Sequence, residues 1–190
     1  MGILTEFEGK FNFDECLESN HLAYLKAFNQ TRRMKWSESS LQNRPDPIRE
    51  AVSLPIGPQG AYYVGDEMRP IWEGGDPAIE DYNSPPSGQP SLWCLWTPID
   101  EGKAIAWDGG DKFYAHIEWI RYLIDHFIQP WGYHLRGKVE WESEVHYRWS
   151  DEFETEKPCL SCGDIIIESN ELTINKQIVW LTDMDDTSTR

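Results

Sequence analysis

AIAWDGGDKFYAHIEWIRYLIDHFIQPW, residues Ala104–Trp131, reads as a short strand, a tight turn and a long helix closed by proline. Gly109-Gly110 permits a sharp reversal after Trp107, and Asp108 or Asp111 is placed to cap the helix. Glu118, Arg121, Asp125 and Gln129 recur at helical spacing as a polar stripe. Phe113, Ile117, Ile120, Ile124 and Phe127 mark another face, and Trp119, Tyr122 and Leu123 widen it. A helix apolar over most of its girth is buried, so residues 113–128 are expected to form the spine of a core.

Downstream, Gly137 opens an alternation of period two. Val139, Trp141, Val145, Tyr147 and Trp149 fall on one face, with Ser143 as a gap; Glu140, Glu142, Glu144, His146 and Arg148 fall on the other. That pattern predicts a half-buried antiparallel strand or hairpin with one wet face. Ile165–Ile167 and Leu172–Ile174 flank Ser169-Asn170, a two-residue hairpin turn. Ile178–Trp180 can add a last strand, and residues 183–190 read as an acidic tail.

Upstream, Phe7, Phe11 and Phe13 among polar residues suggest an edge strand. Asp14 can cap a helix to about Lys35, with Leu17, Leu22, Leu25 and Phe28 as its apolar stripe and Tyr24 beside them. Arg32, Arg33 and Lys35 then sit where cations complement the exposed carbonyl dipoles; alternatively they hold an anion or a nucleotide phosphate. Residues 37–98 are rich in proline and glycine and read as loop, with short strands at Ala61–Gly65 and Ser91–Thr97. The second is apolar on both faces, as a buried central strand would be. Tyr62, Tyr63, Trp72 and Tyr82 argue that the segment is packed, since large rings gain by burial. The expected architecture is a single α+β domain over residues 1–182. Its antiparallel sheet, chiefly from residues 91–180, packs on the long 113–128 helix and on a second, N-terminal helix at 14–35.

The 190 residues carry 33 acids against 17 bases, a formal charge of −16. Such a chain repels phosphates, which disfavours direct DNA or RNA binding. It is attracted to basic surfaces, including the nucleic-acid-binding grooves of other proteins; the plainer alternative is that acidity only confers solubility. No apolar run is long enough to span a membrane. The start, MGILTEFEGKF, has neither the basic nor the apolar region of a signal peptide, and Glu6 stands where myristoylation needs Ser or Thr. A cytoplasmic location is expected, with Cys16, Cys94, Cys159 and Cys162 as free thiols.

One motif has the wording of a zinc nucleobase deaminase: His116-x-Glu118, then Pro158-Cys159-x-x-Cys162. In that chemistry His116, Cys159 and Cys162 would hold zinc and Glu118 would shuttle protons. Against it, the Cys pair is followed by the strand-like Ile165-Ile166-Ile167 rather than by a helix. The alternative is a helix with a chance His-x-Glu and two loop thiols. Serine-nucleophile motifs, a Walker A loop and G-x-G-x-x-G are absent. Trp93, Trp96, Trp107, Tyr114 and Tyr133 are candidates to line a base-stacking pocket, with Arg32 or Arg33 on the phosphates; core packing is the competing role. Asp108 opposes use of the Trp107–Gly110 turn as an anion site. Glu140, Glu142 and Glu144 form either a working carboxylate set or a solvated face paired with Lys138 and Arg148. No cofactor is implied.

TRRMK (Thr31–Lys35), DYNSPPSGQPSLWCLW (Asp81–Trp96), WDGGDKFY (Trp107–Tyr114) and PWGY (Pro130–Tyr133) together resemble an uncharacterised family of small proteins carried by phages, prophages and bacteria. The resemblance runs over most of residues 20–175. It implies a part in the contest between virus and host and brings no activity or cofactor with it. The leading expectation is a non-enzymatic acidic protein that inhibits or modulates a basic host protein, nucleic-acid-acting or defensive, by stoichiometric binding. The acid clusters Glu140–Glu144, Asp151–Glu156 and Asp183–Asp186 motivate it. The alternatives are a sponge that binds a nucleotide signal in an aromatic pocket, and the zinc enzyme.

Overall fold

The structure is a computed structural model that describes residues 3–65, 75–151 and 154–181. Trp72, the tail at 183–190 and part of the Asp151–Glu156 cluster fall outside the described residues.

The alternating Phe7, Phe11 and Phe13 do build a strand, β1 (Thr5–Phe13), but it lies inside the sheet and not at its edge. It pairs with β5 (Ala104–Trp107) on one side and β6 (Leu135–Ser143) on the other. Among the described residues β4 (Trp96–Ile99) pairs only with β5. The expected central strand at 91–97 is therefore shorter, shifted and terminal; its apolar surface is covered by helix instead of by a second strand. The sequence shows which faces of a strand are apolar, not what lies beside it.

Helix α1 (Ser19–Gln30) is shorter at both ends than the expected 14–35. Asp14 does not cap it. Its Oδ1 accepts the N–H groups of Glu15 and His134, and the His134 contact is the chief cause holding this carboxyl below its usual range. Residues 14–18 instead round the end of the sheet, where the Leu17 N–H donates to Gly102 O. At the other end Thr31 turns extended, so Arg32, Arg33 and Lys35 lie past the helix and complement no helix terminus.

Helix α4 (His116–Leu123) also starts later than expected and has no side-chain cap, because Asp108 bonds Gly110 N–H and the Asn29 amide instead. It continues as a wider π turn over Ile124–Ile128, closing just before Pro130. Glu118, Arg121, Asp125 and Gln129 are exposed as the spacing predicts. Trp119, Ile120, Leu123, Ile124, Phe127 and Ile128 join Tyr24, Leu25 and Phe28 of α1, and these meet Phe11, Leu135, Val139, Ile165 and Ile167 of the sheet. The fold is thus α+β, with both helices sharing a core with the antiparallel sheet.

The segment at 37–98 is organised by its own small core. Met34, Trp36, Leu41, Tyr63 and Ala78 pack together. Around them lie α2 (Glu38–Leu41), α3 (Pro47–Ala51) and a two-strand ribbon of β2 (Lys35–Trp36) with β3 (Ile79–Asp81). The strand expected at Ala61–Gly65 is a turn, whose carbonyls serve Arg33, Tyr24 and Gln89.

β7 (His146–Ser150), β8 (Thr155–Glu168) and β9 (Glu171–Trp180) complete a seven-stranded sheet. The Ser169-Asn170 turn has φ of 49° and 71°, the left-handed pair that suits a tight hairpin, and Asn170 Oδ1 accepts Leu135 N–H. β6 and β7 lie along the same edge of β8, since β9 takes the other edge beside β6 and, through Trp180, still faces Cys159 where His146 of β7 does so from the opposite side. Glu142 pairs with Cys162, but His146 pairs with Cys159, so one extra residue sits at Glu144–Val145. This is a β-bulge.

The bulge overturns the simple alternation. Val139 and Trp141 point into the core as expected, yet Val145, Tyr147 and Trp149 emerge on the opposite, solvent face and are exposed. Ser150, on the complementary phase, is buried in their stead.

Candidate functional site

β1 carries Glu6 and Glu8, two residues apart and therefore on one side of the sheet. Register places Glu8 opposite Glu140, Glu140 opposite Asp164, and Asp164 opposite Asn175. In the next row Glu6 faces Glu142, which faces Cys162, which faces Gln177. These eight side chains bound a cleft of about 620 Å³ across four strands. Phe7, Trp141, Gly163 and Lys176 alternate with them and turn away: Phe7 and Trp141 pack on His116, and the Lys176 ammonium lies 5.7 Å from the Trp141 ring.

Five carboxylates thus share one open face. Lys138 lies between two of them, 2.7 Å from Glu140 Oε1 and 3.1 Å from Asp164 Oδ1, and those hydrogen bonds raise its pKa. The set is spread across a surface. Among the described residues no group of three His, Cys, Asp or Glu is placed to hold a metal ion. The arrangement suits several separate cations, such as lysine and arginine side chains, better than a single ion.

The structure distributes the other sequence candidates. Glu140 and Glu142 belong to the cleft; Glu144 is at the bulge, where its Oε1 accepts Leu4 N–H. Trp96 is buried and donates to His116 O at 2.8 Å, and Trp107 donates to Gly110 O at 3.0 Å. The Tyr133 hydroxyl accepts Glu18 N–H and bonds His21 Nδ1 at 3.0 Å. Tyr114 is exposed, and Asp108 is held in its turn. Trp93 and Arg32 share a cleft with Met34, Trp36 and Ile48, but the Arg32 guanidinium donates to Tyr82 O. Arg33 is wholly buried over the Phe28 ring, with Nη2 on Tyr63 O, and burial lowers its pKa. Lys35 pairs with Asp81 in the ribbon. The five aromatics and the two arginines are thus not gathered into one pocket.

His116, Glu118, Cys159 and Cys162 are not gathered either. Cys159 and Cys162 are strand residues of β8, not loop thiols, and point to opposite faces. Cys159 lies against His146, and Cys162 accepts from Gln177. Glu118 is exposed on the outer stripe of α4. His116 is a core residue, 7% exposed, whose Nδ1–H donates to Phe113 O. Its Nε2 has no partner among the described residues.

Burial holds the His116 imidazole below its ordinary 6.5, and burial acts the same way on His21 and His126. Below that value the unfolded chain accepts protons that the folded chain refuses. Stability should therefore fall as pH drops from about 7 toward the depressed folded values. Urea midpoints measured across this range should decline, and His116→Gln should shallow the slope by roughly one proton. An unchanged slope in that variant would remove His116 as a cause.

Glu6, Glu8 and Asp164 are site residues that the sequence did not single out. Their signal, acids spaced by two on strands, was legible for β1 and β6; the register that joins them was not. No family model, curated protein or solved structure matches this chain.

Proposed function

We infer that the chain is a non-enzymatic binding protein whose acidic sheet face engages a basic protein surface, one copy to one partner. The direct opposition of Glu8, Glu140 and Asp164, with Glu6 opposite Glu142, carries this reading. Like charges placed opposite each other work against folding. Cations from a partner would relieve that repulsion on binding. The net charge of −16 adds long-range attraction that speeds encounter and fades with salt. It also opposes direct contact with nucleic acid. The resemblance to phage and bacterial proteins supports a host target that is itself nucleic-acid-acting or defensive, inhibited by occupation of its basic groove.

Affinity capture from bacterial lysate tests this, run with the native chain and with the double variant Glu8→Lys/Glu142→Lys. Each new lysine faces a carboxylate, so the variant should fold at least as stably. A genuine partner is expected at one-to-one stoichiometry, weakened roughly tenfold or more by the variant and by raised salt. A partner held equally by both proteins at high salt would sink the reading.

A further inference from the structure

Because β8 runs through the bulge unbroken, its even-numbered residues stay on one face. Asp164 and Cys162 in the cleft are followed by Leu160, Pro158 and Glu156. The bulge brings Tyr147 opposite Pro158 and Trp149 opposite Glu156, while Val179 of β9 faces Leu160. β1 starts at Thr5 opposite Ser143, so beyond it β7 and β8 continue, among the described residues, as a two-stranded arm that the end of β9 joins at its base. The arm therefore carries an apolar platform on the same face as the five carboxylates, directly continuous with them.

This platform is unusually bare. Tyr147 is 70% exposed and Trp149 59%. Val145, Val179 and Leu181 are exposed beside them. Together they offer roughly 400–500 Å² of apolar surface, the size of patch that usually marks a contact. Rigid aromatics of this kind anchor interfaces. Exposed Glu144, Asp151, Glu154 and Glu156 border the platform.

We propose that the arm and the cleft form one composite docking face, and that its occupant is a basic protein surface with an apolar pocket beside its cations. The proposal rests on the acidic face being a binding surface, and adds the anchor and the second half of the partner's chemistry. Charge selects this occupant over a second copy of the chain. Stacking two such faces would set two sets of five carboxylates against each other. The arm alone supplies about half of the roughly 800 Å² that a stable interface takes from each side, so it needs the cleft as well.

Two peptides of equal charge separate the parts: hexa-arginine, and six arginines alternating with leucines, each titrated calorimetrically. The mixed peptide should bind roughly tenfold tighter to the native chain. In Tyr147→Ser/Trp149→Ser that gain should vanish, so that the two peptides bind with equal affinity. The side chains replaced are exposed, and circular dichroism confirms folding. If hexa-arginine binds but leucine adds nothing, or the gain survives in the variant, the arm is not an anchor and only this inference falls. If neither peptide binds, the reading of the cleft falls with it. Light scattering that finds a native dimer, monomeric in the variant, would assign the arm to self-association and overturn the proposal.

Discussion

Gly137→Ala is expected to lower stability by about 3 kcal/mol, enough to leave a small domain partly unfolded. Gly137 stands on β6 with φ of 142°, and a Cβ there would lie 2.6 Å from Lys10 O and 3.3 Å from Phe11 Cα. Both obstacles are backbone, and the backbone of β1 is fixed by pairing on both sides, so no side chain can swing aside. Gly9 is the mirror case, with φ of 108° and its would-be Cβ driven onto Lys138 O. Gly88 supplies the control: φ is 88° but nothing lies within 4 Å, so Gly88→Ala should cost only the left-handed strain of about 1 kcal/mol. Urea unfolding of the three variants reads the difference. Equal losses at Gly137 and Gly88 would mean that the close approach of β1 and β6 carries no energy.

Asp46→Ala is expected to cost a similar amount, about 3 kcal/mol, through a different cause. Asp46 is 1% exposed and accepts Val64 N–H at 3.0 Å, Arg49 Nε at 3.1 Å and Arg49 N–H at 3.3 Å. It ties α3 to the turn at 61–65 across a segment whose apolar core is small. Removing the carboxylate leaves the Arg49 Nε–H and the Val64 N–H without their acceptor and takes the buried counter-charge from Arg49, whose Nη atoms keep Leu54 O and Glu50. Asp46→Asn keeps an acceptor oxygen for the backbone and should lose about half as much. The change should also open residues 37–65 to limited proteolysis before the sheet unfolds. A variant with native protease resistance would show that the segment is held by its ring packing alone.

Periodicity made the buried face of α4 readable, because residues three and four apart declare a helix without reference to anything else. The Ser169-Asn170 hairpin was readable for the same reason: turn chemistry is local. Partnership was not. Nothing in Glu6-x-Glu8 tells that β1 lies beside β6, and without that neighbour the cleft does not exist. The basic cluster misled because Arg32, Arg33 and Lys35 look like a solvated helix end, whereas Phe28 and the Tyr63 carbonyl draw Arg33 fully inside. The bulge was invisible because Ser143-Glu144-Val145 continues a polar–apolar rhythm that hides one surplus residue. Glu140 and Glu142 were therefore visible and assigned to the correct wet face, whereas the aromatic residues of the arm were visible as residues but assigned to the wrong side of the sheet.

The surplus residue at Glu144–Val145 also sets rules for how this chain can vary. Beyond it the strands are free of β1, so the arm can lengthen or shorten by matched pairs, one residue from β7 and one from the start of β8, without disturbing the register beneath. A single deletion at Glu144 would only absorb the surplus: Val145 would come to stand opposite Leu160, while His146 and Tyr147 would keep Cys159 and Pro158, so the rings stay on the face of the cleft. Loss of a second residue there would slide Tyr147 opposite Cys159 and turn it to the other side of the sheet. The bulge is thus a reserve of one residue, which this stretch can spend once without exchanging its surfaces.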